Sequence, residues 1–277
     1  MDSQQTHRAH LFKALHERDH AFVIPNPWDA GSAKLLASLG FEALATTSAG
    51  LAFTLGRADA EGAISLDESL QNIGAIVAAT NLPVAADLEN CFADDPQDCA
   101  AALLKAAKTG IVGGSIEDAT GRLDQPIYSF EHSVARVRAA ALAVRSLPFP
   151  FMLTARAENL LNARMDFDDT LNRLVAYADA GADVLYAPGL RNRDEVIAVV
   201  RAVAPKPVNV LMGLSGLTLT VAELSDCGVK RISVGSSLAR AALGGLYRAA
   251  DEIRTHGTFD YAGQALPFAQ LNTLFKG

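Results

Sequence analysis

The sequence predicts an α/β fold, a (β/α)8 TIM barrel that runs as a single domain over residues 1–277. Three observations point there. Short β-type runs alternate with longer helical patterns. The helical patterns end in glycine just before the next run. Polar and acidic residues gather at the far ends of the runs, where barrels build their sites. The alternative is an open doubly wound sheet, which normally carries a Gly-rich dinucleotide loop after its first strand. Here that place reads "IPNPWDAG" (24–31), which is not GxGxxG.

The elements follow in order. "MDSQQTHRAHLFKALHERDH" (1–20) is polar with a helical pattern and has no apolar centre of a signal peptide. Strands are expected at 22–26, 43–48, 83–89, 113–118, 151–157, 183–189, 207–211 and 231–235. Helical segments between them include 29–39, 65–79, 94–109, 129–146, 166–180, 193–203 and 238–255. "SLDESL" (65–70) and "DDPQDCAAALLKAA" (94–107) open with a capping Ser or Asp and early acids, as helix N-termini prefer. Gly40, Gly110, Gly181 and Gly228 close helices where a left-handed residue is needed. "VGSSLARAAL" (234–243) places Gly and two Ser at a helix start, read as an ordinary Ser cap rather than a phosphate site. The tail "TFDYAGQALPFAQLNTLF" (258–275) is apolar for a chain end and reads as a helix that packs on a partner subunit.

Bulk composition narrows the function classes. The net charge is −7 and no basic patch occurs, which argues against a nucleic-acid partner. No window approaches a membrane span. Cys91, Cys99 and Cys227 form no CxxC, so reduced thiols and a cytoplasmic location are expected.

The chemistry should lie at the strand ends. Asn26, Ser48, Asp87, Glu89, Glu117, Asp118, Arg156 and Asn209 fall there, with Asp59 in the long loop "GLAFTLGRADAEG" (50–62). Several acids aimed at one mouth repel one another unless a cation compensates. Hard oxygen donors with few histidines select Mg2+ or Mn2+ over Zn2+. Asp87 and Glu89 are two apart, so on a regular strand they share a face. Glu117 and Asp118 are adjacent, so only one can face the metal, and Glu117 is the choice. A lone strand-end acid such as Asp118 or Asp59 can equally be a helix cap.

"TTSAGLAFTLGRAD" (46–59), "ADLEN" (86–90), "SIEDATG" (115–121), "LTARAENLL" (153–161), "AYADAGADVLYAPGL" (176–190) and "KPVNVL" (206–211) together resemble the isocitrate lyase/phosphoenolpyruvate mutase superfamily over nearly the whole chain. The resemblance implies a barrel that binds Mg2+ or Mn2+, commonly in tetramers whose subunits exchange the eighth helix. It implies Asp87 as the direct metal ligand, with Asp59, Glu89 and Glu117 acting mainly through metal-bound waters. It further implies that the Gly50 and Leu51 amides hold a substrate carboxylate beside Ser48, that Arg156 contacts substrate oxygens, and that Asn209 is a lyase-type Asn after the seventh strand. The sequence departs from the family at two places. The usual Asp-x-Asp is Asp87-Leu88-Glu89, and the loop "ATGRLDQPIYSFEH" (119–132) lacks the Lys-Lys-Cys-Gly-His signature. Cys91 and Cys99 lie after the third strand and do not replace that Cys. Arg122, Asp124, Tyr128 and His132 are the loop's remaining polar candidates, and Tyr128 joins Arg156 and Glu117 in the catalytic set.

The expected activity is Mg2+-dependent cleavage of a C–C bond in a small 2-oxo or 2-hydroxy carboxylate through an enolate, in the manner of an oxaloacetate decarboxylase or methylisocitrate lyase. Alternatives are P–C bond chemistry on a phosphonopyruvate-like substrate and a non-catalytic 2-oxo-acid binding protein. The expected partners are a small carboxylate and further copies of the chain, as a dimer or tetramer.

Overall fold

A computed structural model describes residues 3–59, 62–162, 164–214 and 216–276. Met1 and Asp2 of the first helical stretch, and Ala60 and Glu61 of the 50–62 motif, lie outside that set. Eight parallel strands alternate with helices, as the sequence predicts. The strands are β1 (Phe22–Ile24), β2 (Leu44–Ala45), β3 (Val84–Ala86), β4 (Gly113–Glu117), β5 (Met152–Arg156), β6 (Val184–Tyr186), β7 (Val208–Leu211) and β8 (Arg231–Ser233). They pair in the order β1-β8-β7-β6-β5-β4-β3-β2. The open side is drawn together by the Ala45 N–H, which donates to the Pro25 carbonyl at 3.1 Å.

The surrounding helices are α2 (Ala30–Ser38), α4 (Leu66–Ala78), α5 (Pro96–Ala107), α6 (Phe130–Arg145), α7 (Phe167–Asp179), α8 (Arg193–Val203) and α9 (Val221–Asp226). Their starts are set by the residues the sequence offers. Ser65 and Glu68 form a reciprocal capping box on α4, and Asp95 caps α5 with Pro96 in its first turn. The sequence pattern marks neither α9 nor the short α3 (Ser48–Thr54), because both are under two full turns and carry little periodicity.

The N-terminal helix α1 (Ser3–His16) closes the lower end of the barrel. Its Phe12, fully buried, packs with Phe22, Ile24, Ala85, Met152 and Val184 from the strands. Burying a side chain of that size contributes about 1.5–3 kcal/mol. Gly113 makes room for it: a Cβ there would lie 2.9 Å from the Phe12 ring. The barrel is therefore packed below and hollow above.

The expected spans of the strands are longer than the observed ones, since the ladder ends where side chains turn to the mouth. β3 stops at Ala86, so Asp87 and Glu89 do not sit on a regular strand. Glu89 takes a left-handed conformation (φ 49°), and the shared-face expectation fails for this pair.

After β8 the chain enters α10 (Ser237–His256), twenty residues of which only Ala239 is buried. Leu246 and Tyr247 are 66% and 73% exposed. Ser236 makes no side-chain cap at its start, contrary to the Ser-cap reading. A 3₁₀ turn (Asp260–Gln264) and α11 (Phe268–Phe275) follow, and α11 returns to α2 of the same chain, where the Lys34 ammonium reaches the Phe275 carbonyl. Among the described residues, no helix is long and apolar enough to cross a membrane.

Candidate active site

The parallel ladder brings five polar residues into register around the barrel. Glu117 pairs with Arg156, Arg156 with Tyr186, Tyr186 with Asn209, and Asn209 with Arg231. Residues at matched positions on parallel strands share a face, and here that face is the interior. Above them opens a cavity of about 290 Å3, lined among others by Ser48, Asp59, Asp87, Arg156, Asn209 and Arg231. The space exists because Ala45, Ala85 and Gly114 fill the wall with little volume.

Arg156 organises the charge. Its guanidinium contacts Asp87 Oδ1 at 3.0 Å, Glu117 Oε2 at 3.2 Å and Glu158 Oε1 at 2.6 Å, and lies over the Tyr186 ring. Asp87 Oδ2 accepts from both the amide and the hydroxyl of Ser48, at 3.1 and 3.0 Å. Glu158 is a site residue that the sequence reading missed. The signal was present, since Glu158 follows Arg156 by two positions just as Glu89 follows Asp87.

One guanidinium faces more acid than it can neutralise. Burial, with Arg156 opposing and Glu158, Asp87 and Glu89 adding, holds the Glu117 carboxyl well above the usual range. Asp59 is exposed at the cavity edge, and partial desolvation there with the Asp87 charge also raises it, against the pull of Arg156. Burial likewise raises Glu158.

The other expected residues fall in different places. Glu89 lines a neighbouring surface hollow with Asn90, Asp94 and Arg122, although its charge is still felt at Glu117. Leu51 is buried in α3, and the amides of both Gly50 and Leu51 already donate to Thr47, at 3.3 and 3.1 Å. Gly50 itself is needed, as a Cβ would lie 2.6 Å from the Thr47 methyl and 2.9 Å from Trp28 Cβ. Asn209 is fully buried, donating to Ser233 Oγ and accepting from Arg231 Nε, both at 2.9 Å.

Tyr128 is outside the cavity. Its hydroxyl donates to Asp94, and Arg122 and Arg136 flank its ring. Burial and the Asp94 carboxylate push its acidity down, so it holds its proton firmly. The 119–132 loop folds back on itself through an Ala119–Ile127 bridge and a Tyr128 N–H bond to the Asp118 carbonyl. His132 lies half-buried in the first turn of α6, its ring against the Asp94 carbonyl. Asp118 turns away from the cavity, as the adjacency argument expects, and accepts from Arg173, the Tyr177 hydroxyl and the Glu158 amide.

Among the described residues, no three acids, histidines or cysteines converge as a ready cage for a metal. The donor set nevertheless fits a hydrated hard cation. Mg2+ keeps several waters and takes only one or two carboxylates directly. Asp87, Asp59 and Glu117 supply such oxygen donors at and beside the cavity mouth, where Asp87 and Glu117 share the Arg156 guanidinium.

Known proteins match this chain in sequence and in fold. A sequence model of the phosphoenolpyruvate phosphomutase family matches residues 12–254. A crystal structure from Burkholderia cenocepacia J2315, described as a candidate lyase/mutase, is 57% identical with a TM-score of 0.97, covering 100% of this chain and 98% of its own. An uncharacterised protein of Mycobacterium tuberculosis strain H37Rv is 31% identical over 262 residues, 94% of each chain. A structure of oxaloacetate acetylhydrolase in complex with its product oxalate superposes with a TM-score of 0.87 at 25% identity, covering 97% of this chain and 93% of its own. The chain therefore belongs to the phosphoenolpyruvate phosphomutase family, within the isocitrate lyase/phosphoenolpyruvate mutase superfamily.

Proposed function

We propose that the protein is a Mg2+- or Mn2+-dependent lyase that cleaves a C–C bond in a small 2-oxo or 2-hydroxy carboxylate through an enolate. The observation that carries this reading is the excess of carboxylates around the single Arg156 guanidinium at the cavity mouth. Asp87 would hold the cation, with Asp59, Glu117 and the more distant Glu89 around it. A bound cation would supply Lewis-acid stabilisation of the charge that develops on the substrate's oxygens.

The chain's own residues do the rest. Arg156 is fixed by Glu158 and Tyr186, so its guanidinium is oriented before substrate arrives and can stabilise developing negative charge without reorganisation. Ser48 holds Asp87 by two hydrogen bonds and borders the cavity, where it can also meet a substrate oxygen. Glu117, 3.2 Å from Arg156, would accept hydrogen bonds from the waters of a bound cation and so couple the cation to the guanidinium. Tyr128 is not given that role, because its hydroxyl is committed to Asp94. The exposed apolar face of α10 supports assembly with further copies, and three free, buried cysteines suit a reducing cytoplasm.

Thermal unfolding with oxalate, a mimic of pyruvate enolate, tests the reading. At a hundredfold over Kd a ligand adds about 2.7 kcal/mol. The expected result is a rise in Tm only when oxalate and Mg2+ are both present. No rise in either condition would remove the enolate site from consideration. The matched family's name favours P–C bond chemistry as a second reading. Assays with oxaloacetate, methylisocitrate and phosphonopyruvate separate the two, and oxalate binding without turnover of any 2-oxo or 2-hydroxy acid would favour a binding protein.

A further inference from the structure

The cavity has a second cation, and it differs from the first. Arg231 begins β8, points into the barrel and is only 6% exposed. Its Nε donates to Asn209 Oδ1 at 2.9 Å and its Nη2 to Thr154 Oγ1 at 3.0 Å, both neutral acceptors. Among the described residues it makes no ion pair, whereas Arg156 has three acids. The mouth is thus over-supplied with negative charge, and the floor carries an uncompensated positive one.

Two other buried arginines show that this pattern needs a closer look. Arg136 also lacks an acid, but the carbonyls of Glu117, Asn90 and Ala93 surround its guanidinium, and it borders no cavity wall of the site. Arg8 ties α1 to the Thr80 carbonyl outside the barrel interior. Arg231 alone of the three lines the 290 Å3 space. Burial, with the nearby Arg156 adding, brings its pKa down to about 10, which marks a charge held at a cost. An isolated buried cation is stabilised most by an anion brought to it.

We propose that Arg231 is a specificity-determining residue, the counter-ion for a second anionic group of the substrate at the cavity floor. The 2-oxo or 2-hydroxy carboxylate end would sit at the mouth with Arg156 and Ser48, and the distal anion would reach down between Thr154 and Asn209. This rests on the lyase reading of the same site. It narrows that reading to substrates with two anionic groups and rejects the monoanions of equal size. A polar site built for a partner discriminates strongly against an analogue that lacks it, because the site's buried group is left unpaired.

The test compares two 2-hydroxy acids of equal chain length, malate and 2-hydroxybutyrate, which differ by a carboxylate in place of a methyl. Binding to the full-length protein with Mg2+ is measured by calorimetry for the wild type, Arg231→Lys and Arg231→Gln, with oxalate as the control and Tm recorded for each. The wild type is expected to prefer malate by about thirtyfold or more, as a charged hydrogen bond allows. Arg231→Gln should bring the two within about threefold, and Arg231→Lys should restore part of the preference, a rescue that a merely structural arginine would not show. If Arg231→Gln keeps the preference, or the wild type has none, the assignment is overturned. Should Arg231→Gln fail to fold, the neutral Arg231→Met takes its place, and a preference for malate kept there likewise overturns the assignment. Oxalate binding lost in the wild type removes the lyase reading itself, whereas oxalate binding retained without selectivity removes only the role of Arg231.

Discussion

Arg156 and Asp87 meet at 3.0 Å across the strand that separates them, β4, with Glu117 from that strand held by the same guanidinium. The two residues lie 69 positions apart in sequence. Their contact fixes the geometry on which the proposed chemistry depends.

Removing the guanidinium should cost catalysis more than folding. Arg156→Lys leaves a charge but cannot contact Asp87, Glu117 and Glu158 together. The kcat/KM with the active 2-oxo acid is expected to fall by about 10²–10³, the loss typical of a preorganised donor. Unchanged turnover would place the reaction elsewhere.

Stability should respond to pH through Glu117. Its folded pKa is raised above the ordinary 4.5, so with rising pH the unfolded chain ionises first and the folded protein loses stability until Glu117 follows. Without metal, Glu117→Gln should melt higher than the wild type, by a margin that widens as the pH rises above the ordinary carboxylate range. Scanning calorimetry at each pH measures it, and a margin independent of pH would contradict the electrostatic origin.

Mg2+ should act in the same window with the opposite sign. Glu117 and Asp59 both have raised proton affinities, and a cation must displace those protons. The Tm gain from Mg2+ is expected to grow with pH over that range. A gain that shrinks would mean that other groups hold the ion.

Asp118 should matter to folding and not to binding. It is 2% exposed and bonded to Arg173, Tyr177 and the Glu158 amide. Asp118→Ala leaves the Arg173 charge buried without its inner partner, which costs about 3–5 kcal/mol. Urea denaturation reads this directly.

Tyr128→Phe separates a packing role from proton transfer. With the hydroxyl committed to Asp94, turnover should stay within about threefold, where loss of a general acid costs about 10²–10⁴. A fall of that larger size would return Tyr128 to the catalytic set.

Much of this architecture was legible in the sequence because barrel rules are local. Glycine closures such as Gly110 and Gly181, caps such as Ser65 and alternating runs each act over a few residues. The acids at strand ends were legible for the same reason. What depended on long-range geometry was not. Glu89 follows Asp87 by two, yet the left-handed turn after Ala86 takes it to a separate hollow. The amides of Gly50 and Leu51 are claimed by Thr47, because α3 begins there and needs a cap. Arg231 follows Lys230 at the start of β8 with no motif around it, and only barrel closure brings it beside Asn209 and Thr154.

The row Glu117, Arg156, Tyr186, Asn209 and Arg231 sits in register across five neighbouring strands, β4 to β8, of one hydrogen-bonded sheet. Backbone pairing, rather than the segments that cross the mouth, therefore sets the spacing of its charges. Segments such as 119–132 can then be exchanged to admit a different guest while the electrostatic instrument beneath stays tuned. A scaffold wired in this way is well suited to redesign of substrate range by grafting at the rim, with the rungs left untouched.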